Sequence, residues 1–196
     1  MLARDGLVIL LDVDNTLLDN DRFAADLGDR LTHLFGAAER ERYWAIFAEL
    51  RSELGYADYL SALQKFRVGI ASDPQLLLMS GFLLEYPFAE HLYPRALETV
   101  AHLSTLGQTV ILSDGDIVFQ PRKIQRSGLW DAVEGRVIVG LHKERSLDDM
   151  RRRFPGTHYL MVDDKPQLLV AMKRLLGPEL TTVFVRQGHY ATDSRD

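Results

Sequence analysis

The chain of 196 residues contains no cysteine, and this absence limits its chemistry. Disulfide bonds, thiolate metal sites and cysteine nucleophiles are all excluded, which fits a reducing compartment. Basic residues are also outnumbered, because 23 Lys and Arg face 28 Asp and Glu and leave a net charge of −5. Nucleic acids and acidic membrane surfaces attract clustered basic residues, so we expect neither as a partner.

Long hydrophobic runs are missing as well. Asp12 ends the first apolar run after five residues, and the N-terminus shows no pattern typical of a signal peptide. The longest later candidate, residues 76–86, is too short to span a bilayer. From these absences we expect a cytoplasmic protein.

Five short runs rich in apolar, β-branched or aromatic residues predict buried strands. They cover residues 7–11, 109–113, 136–139, 158–163 and 181–185. Segments with helical periodicity lie between them, at residues 94–107, 120–127, 147–154 and 167–176. This alternation predicts a Rossmann-like α/β fold, with a parallel sheet of about five strands and helices on both faces.

One connection departs from this alternation. Between the first two strands, four amphipathic segments replace any strand pattern, at residues 23–35, 39–54, 57–68 and 74–84. A structureless loop of this length is improbable in a compact domain, so we expect an all-α cap subdomain over residues 18–90. Residues 1–17 and 91–196 would then form the α/β core domain, with residues 188–196 as a polar tail.

Acidic and hydroxyl side chains follow several predicted strands. Asp12 and Asp14 come after the first strand, Ser113 ends the second, and Asp163 and Asp164 end the fourth. In parallel sheets ligands bind outside the carboxyl ends of the strands, so we expect these groups to converge. A single carboxylate at such a position is more often a turn or cap residue, but three strand ends together favour a site.

Four motifs in these positions resemble those of the haloacid dehalogenase superfamily. "DVDNT" (residues 12–16) is similar to its first motif, Ser113 to its second, Lys143 to its third and "MVDDK" (residues 161–165) to its fourth. The resemblance covers residues 7–185 in the family's order, and the helical insertion lies where that superfamily has a helical cap. Four ordered motifs are far more specific than a lone DxDxT pattern.

The resemblance implies a Mg²⁺-dependent phosphatase with an aspartyl-phosphate intermediate. It assigns Asp12 as the nucleophile and Asp14 as the general acid and then base. Thr16, Ser113 and Lys143 would bind the phosphate oxygens, Lys143 by charge as well. The metal ligands would be Asp12, Asp163, the backbone carbonyl of Asp14 and, less directly, Asp164.

This assignment is chemically sound, since a carboxylate is ionised at neutral pH and needs no base to act as a nucleophile. Its attack on an anionic phosphate requires nearby positive charge, which a lysine and a divalent cation could supply. Hard oxygen ligands, without Cys or an HExxH pattern, favour Mg²⁺ over zinc.

Several residues leave alternatives open. Lys123 competes with Lys143 for the phosphate, but it lies within a predicted helix, and Glu144 stands where the resemblance suggests a proline. Other acidic residues near the motifs have ordinary structural explanations. We expect Asp114 and Asp116 to form turns, and Asp19 and Asp21 to cap the first helix of the insertion.

The insertion also offers candidates for substrate binding, chosen by their charge alone: Arg51, Lys65 and Arg67. Among the histidines only His142, next to Lys143, is of interest.

Competing functions share much of this pattern. The family's dehalogenases lack an aspartate at the position of Asp14, so the resemblance favours phosphate esters over carbon–halogen bonds. A phosphomutase would share every named core residue, and a non-catalytic module could bind Mg²⁺ or a phosphorylated ligand. We expect a small phosphorylated metabolite as the substrate, and a monomer or small homo-oligomer.

Overall fold

A computed structural model describes residues 6–71 and 73–193 of the chain. Its centre is a five-stranded parallel sheet in the order β3-β2-β1-β4-β5. The strands are β1 (Leu7–Leu11), β2 (Gln108–Asp114), β3 (Val137–Gly140), β4 (His158–Asp163) and β5 (Leu180–Phe184). All five predicted strands are therefore confirmed, each end lying within one residue of its predicted position.

The sheet is covered on both faces, and β1 shows this residue by residue. Val8 and Leu10 belong to one buried apolar cluster, whereas Ile9 and Leu11 belong to another on the opposite face. Successive side chains of a strand point to opposite faces, so a continuous apolar run is required when both faces are buried. This confirms the predicted α/β architecture.

Helices of the core domain follow the strands, and several of them cover the two faces of the sheet. They are α5 (Ala96–Leu103), α6 (Phe119–Arg126), α7 (Leu129–Ala132), α8 (Leu147–Arg153), α9 (Pro166–Leu176) and α10 (Tyr190–Asp193). Buried residues of α8 and α9, such as Met150 and Met172, pack with Val8, while those of α5 and α6, such as Val100 and Ile124, pack with Ile9. Short 3₁₀ turns occur at Phe88–His91, Lys143–Arg145 and Gly177–Glu179.

Four helices occupy the connection between β1 and β2. They are α1 (Asn20–Phe35), α2 (Ala37–Leu54), α3 (Tyr59–Phe66) and α4 (Asp73–Glu85), and we call them the helical insertion. Asp19 caps α1 as expected, accepting a hydrogen bond from the Arg22 backbone N–H at 2.9 Å. Helix α3 is shorter than predicted at both ends, and its start is set by Asp58, which accepts a hydrogen bond from the Ser61 backbone N–H at 2.8 Å.

The apolar interior of the insertion is continuous with that of the sheet. Phe23 of α1 lies 5.1 Å from Tyr59 of α3 and 5.6 Å from Phe119 of the core, measured between ring centroids. Tyr43 and Phe47 are buried in the same cluster as Ile9 and Leu11 of β1. The insertion is therefore packed directly onto one layer of the core. Within the described part of the chain, no helix is long and apolar enough to cross a membrane.

Candidate active site

The carboxylates predicted at the strand ends do meet. Strand β1 pairs in parallel with both β2 and β4, which brings the carboxyl ends of the three strands side by side. The Asp12 backbone N–H donates to the carbonyl of Val162 at 3.0 Å, so the end of β1 is held against the end of β4. Carboxylate oxygens of Asp12, Asp163 and Asp164 lie within 4.8 Å of one another.

Lys143 stands between two of these carboxylates. Its Nζ donates to Asp12 Oδ1 at 2.5 Å and to Asp163 Oδ2 at 2.6 Å, and all three side chains are buried. Burial alone would lower the pKa of Lys143, but the negative charges of Asp12 and Asp163 raise it above its ordinary value. Lys143 is therefore a permanent cation at the end of β1.

The same positive charge acts on Asp12. Burial works to raise the pKa of this carboxyl, but the charges of Lys143 and Lys165, with hydrogen bonds from Lys143 and Thr16, hold it below its ordinary value. The Thr16 hydroxyl donates to Asp12 Oδ2 at 3.0 Å. Thr16 returns over Asp12 because Asn15 adopts a left-handed backbone with φ of 57°, which Asn tolerates better than most residues. Asp12 is accordingly an ionised carboxylate at neutral pH.

Asp14 belongs to a separate hydrogen-bond network. Lys123 Nζ lies 2.8 Å and 3.0 Å from the two Asp14 oxygens and donates to Asn20 Oδ1 at 2.9 Å. Gln120 Nε2 donates to Ser113 Oγ at 2.9 Å and, more weakly, to Asp14 Oδ2 at 3.3 Å. The network therefore connects two of the predicted site residues, Asp14 and Ser113, through side chains of α6.

Lys123 is fully buried among aromatic rings. Its Nζ lies 5.4 to 5.8 Å from the ring centroids of Phe23, Tyr59, Phe88 and Phe119. A cation over several ring faces is stabilised by their quadrupoles, and its ion pair with Asp14 supplies the counter-charge. The structure thus separates the two competing lysines: Lys143 contacts Asp12, whereas Lys123 contacts Asp14.

Sequence reasoning missed the network around Asp14, although a signal was present. Gln120 and Lys123 are three residues apart on a helix, so they share a face with the apolar Phe119 and Ile124. Polar side chains on a buried helical face need partners, which points to a buried polar network. The partners themselves, 106 and 109 residues away along the chain, could not be read from the sequence.

Acidic groups outnumber the cations around Asp12. Burial and the charge of Asp12 raise the pKa of Asp164 to about 8, and the same two causes raise the pKa of Asp163. Burial also raises the pKa of Asp114 to about 6, while the charges of Lys143 and Lys165 act to lower it. Asp114 therefore interacts electrostatically with the same lysines as Asp12. Asp164 Oδ1 is buried and has no hydrogen-bond partner among the described residues.

These features suit a divalent cation. With every group ionised, Asp12, Asp114, Asp163 and Asp164 against Lys143 and Lys165 would leave a formal charge of −2. The orphaned oxygen of Asp164 and the short separation of three carboxylates supply hard oxygen ligands of the kind that Mg²⁺ prefers. The residues at the strand ends could therefore hold such an ion.

The candidate cations of the insertion are engaged away from these carboxylates. Arg51 Nη2 donates to the Tyr190 hydroxyl at 3.1 Å, Lys65 pairs with Glu53 at 3.8 Å, and Arg67 donates to Gln64 at 3.3 Å. None of these three partners is a predicted site residue. His142 packs beside Gly55, where an added Cβ would approach the imidazole to 2.4 Å.

The C-terminal segment differs from the predicted polar tail. Asp21, expected as a helix cap, accepts hydrogen bonds from the His189 backbone N–H at 2.7 Å and from Asn15 Nδ2 at 3.0 Å. Residues 188–190 therefore pack beside the turn that follows β1, so the tail prediction is wrong for them. Residues 194–196 lie outside the described part of the chain.

The fold and the site define an α/β protein with a carboxylate-rich centre at the carboxyl edge of its parallel sheet. A family model described as haloacid dehalogenase-like hydrolase matches residues 7–175. The chain belongs to this family and is a hydrolase of the haloacid dehalogenase type. Among curated proteins, no sequence matches it.

Solved structures agree with this assignment. A haloacid dehalogenase-like hydrolase from Burkholderia xenovorans is 58% identical, with a TM-score of 0.91, over 97% of this chain and 89% of that chain. L-2-haloacid dehalogenase from Xanthobacter autotrophicus is 19% identical, with a TM-score of 0.62, over 95% and 80%. A hydrolase of this type from Bacillus subtilis, bound to magnesium, is 19% identical, with a TM-score of 0.59, over 93% and 87%. The two distant matches show the shared fold alone.

Proposed function

We propose that this protein is a Mg²⁺-dependent phosphatase that hydrolyses a small phosphorylated metabolite through an aspartyl-phosphate on Asp12. The observation that carries the proposal is the placement of Asp14. Its carboxylate is held by Lys123 and Gln120, and Gln120 also holds Ser113, a predicted phosphate-binding residue. A second carboxylate anchored two residues after the proposed nucleophile would provide an acid and base for the leaving oxygen, which halide release does not need.

Asp12 is the nucleophile because it is ionised and flanked by a permanent cation. Its carboxylate oxygen attacks phosphorus, and the bond from phosphorus to the ester oxygen breaks. For this step Asp14 must carry a proton, which it takes up by leaving its ion pair with Lys123. It gives that proton to the ester oxygen, so the alcohol leaves neutral. Asp14 then takes a proton from water, whose oxygen attacks phosphorus and releases inorganic phosphate and free Asp12.

Lys143, Ser113 and Thr16 bind the phosphate oxygens in this proposal. In the structure Lys143 donates to Asp12 and Asp163, and Thr16 donates to Asp12. The Lys143 ammonium has three N–H groups, so one remains to donate to phosphate. The hydroxyls of Thr16 and Ser113 can rotate to donate to phosphate as well. A bound phosphate would then be positioned next to the Asp12 carboxylate.

Mg²⁺ would be held by Asp12, Asp163 and Asp164 together with the backbone carbonyl of Asp14. When bound, it would offset the repulsion between the phosphate and the carboxylates. The excess of acidic groups and the orphaned Asp164 oxygen support this assignment. Magnesium in the distant Bacillus subtilis structure is consistent with it through the shared fold.

Residues 18–90, which include the helical insertion, would act as a cap. It packs against the layer that carries Lys123, and Asn20 of α1 contacts that lysine directly. A cap of this kind admits small molecules and excludes bulk water during the reaction. We therefore propose a small soluble phosphate ester as the substrate, with no nucleic acid or membrane partner, and a monomer or small homo-oligomer.

Turnover of p-nitrophenyl phosphate by the full chain tests the proposal. We expect Mg²⁺-dependent release of p-nitrophenol that EDTA abolishes, and no turnover by Asp12→Asn. Asp131→Asn, a change at an exposed acid on α7, is the matched control and should keep full activity. Chloride release from L-2-chloropropionate without phosphatase activity would instead establish a dehalogenase, and a requirement for a bisphosphorylated activator would indicate a mutase.

A further inference from the structure

A cleft of about 400 Å³ lies between the helical insertion and the core. Its insertion side includes Tyr56, Asp58 and Leu60, and its core side includes the loop after β2 and the end of β3. A volume of this size suits a small organic molecule. No Lys, Arg or His is found among the described residues that line it.

The lining combines apolar side chains with negative charge. Ile117, Val118 and Leu141 line the cleft although they are 77%, 58% and 58% exposed, which is unusual for three large apolar residues close together. The two charged residues of the lining, Asp58 and Asp116, are both acidic. Apolar groups on a bound molecule would therefore increase its affinity for the cleft, and a negative charge would lower that affinity.

Asp116 adds a specific polar feature. Its Oδ1 accepts hydrogen bonds from the backbone N–H groups of Val118 and Phe119 at 2.9 Å and 2.6 Å. Its Oδ2 is buried and has no partner among the described residues. Burial and the charges of Asp58 and Asp116 raise the pKa of the Tyr56 hydroxyl, so both carboxylates act on this wall of the cleft. A cationic group in the cleft would be attracted by the charges of Asp58 and Asp116, whereas a carboxylate would be repelled.

The cleft adjoins the catalytic residues through Gly115. Gly115 lines the cleft, and its N–H donates to the Gly140 carbonyl at 3.0 Å, which joins the ends of β2 and β3. A Cβ on Gly115 would lie 2.9 Å from the Gln120 side chain, and Gln120 donates to both Asp14 and Ser113. One side chain therefore separates the cleft wall from the proposed acid and base.

We propose that this cleft receives the leaving alcohol of the phosphate ester, and that the alcohol is uncharged or cationic and carries an apolar carbon chain. Ile117, Leu141 and Asp116 set this preference. The inference rests on the proposed phosphatase function. It predicts that phosphate esters of neutral alcohols and amino alcohols are better substrates than bisphosphates or phosphate esters of hydroxy acids.

Three esters of similar length test the preference: phosphoethanolamine, n-propyl phosphate and phosphoglycolate, each with Mg²⁺ and the full chain. We expect kcat/KM for the cationic and neutral esters to exceed that for anionic phosphoglycolate by about tenfold or more, because like charges across a contact are disfavoured. Asp116→Asn should narrow the gap between phosphoethanolamine and phosphoglycolate, since the amide oxygen can still accept the two backbone N–H groups.

Leu141→Lys should shift the preference toward phosphoglycolate by several-fold and weaken use of n-propyl phosphate. Leu175→Lys on α9 is the matched control, because Leu175 is also 58% exposed but does not line the cleft. Equal or better use of phosphoglycolate by the unmodified chain, or equal effects of the two lysine substitutions, would overturn the inference. Turnover of p-nitrophenyl phosphate in the same preparation would show that the proposed function survives that result, whereas no turnover of any ester would remove both.

Discussion

The two buried lysines of the site, Lys143 and Lys123, form ion pairs in very different surroundings. Lys143 lies among carboxylates that outnumber the cations, and it contacts Asp12 and Asp163. Lys123 lies among aromatic rings and forms an ion pair with Asp14, while also contacting Asn20 of the insertion. In the proposed reaction, Lys143 would supply charge where an anionic substrate reacts, and Lys123 would hold the Asp14 carboxylate in place.

This contrast shows that burial of an ion pair does not by itself define its role. A buried cation in an acidic cluster leaves net negative charge that a metal can neutralise. A buried cation that is surrounded by aromatic rings and paired with one carboxylate leaves no excess charge. Its effect is to fix the orientation of that carboxylate. Replacing each lysine in turn separates these two roles.

Replacing Lys143 should have the largest effect. We expect Lys143→Met to lower kcat/KM for p-nitrophenyl phosphate by about 10²–10³-fold, because the variant loses a positive charge beside the reacting phosphate. Steady-state kinetics with saturating Mg²⁺ would measure this. Lys65→Met, which removes an exposed lysine paired with Glu53 on the insertion, is the control and should leave the rate unchanged. A Lys143→Met enzyme with nearly full activity would show that Lys143 has no part in binding phosphate.

Replacing Lys123 should have a smaller effect that acts through Asp14. Methionine is close to lysine in length and fits among the surrounding aromatic rings, so the Lys123→Met variant should fold. We expect it to lower kcat by about 10- to 100-fold, with little change in KM. A double-mutant cycle with Asp14→Asn isolates the interaction. We expect Lys123→Met to cost almost nothing further once Asp14 is replaced. If the two losses simply multiplied, Lys123 would act independently of Asp14.

The stability of the metal-free protein should fall as pH rises, a small effect by comparison. The pKa values of Asp114 and Asp164 are raised to about 6 and about 8 from an ordinary 3.8. The folded state therefore binds protons more tightly than the unfolded state, and this stabilising contribution is complete below pH 4 and is lost as pH rises through 6 and 8. We expect Tm in EDTA to drop by a few degrees between pH 5 and pH 9, at about 2–4 °C per kcal/mol.

Mg²⁺ should reduce that drop, because a bound cation stabilises the ionised carboxylates. Asp164→Asn should also reduce it in EDTA, whereas Asp131→Asn, at an exposed site, should leave it unchanged. Calorimetry at matched ionic strength would measure all three. The drop in Tm between pH 5 and pH 9 in EDTA could instead be the same with and without Asp164→Asn. That result would mean that the carboxylate cluster carries no excess charge.

Much of the fold was predictable because the relevant signals are local. The five strands are short apolar runs, and the alternation of Val8 and Leu10 with Ile9 and Leu11 between two cores follows from strand geometry. The carboxylates of Asp12 and Asp163 could be expected to meet, since parallel strands end at the same edge. The insertion was also predictable, since helical periodicity replaces every strand pattern between β1 and β2.

Other features could not be predicted because they depend on distant contacts. The start of α3 depends on the cap by Asp58. Residues 188–190 pack beside the turn after β1, although their composition suggests a tail. Lys123 was placed on the correct helix, but its partner is 109 residues away. A side chain on a helix can face solvent or core, and only packing decides between them.

The sequence by itself determined a parallel sheet with acidic and hydroxyl groups at its carboxyl edge, because strand runs and the residues that follow them are encoded locally. The tertiary structure alone decided which cation meets which carboxylate and which side chains face the cleft between insertion and core. Those pairings depend on how the helical insertion and α6 pack against the sheet. Packing of this kind is set by contacts between residues far apart in the chain, and no short segment of the sequence records them.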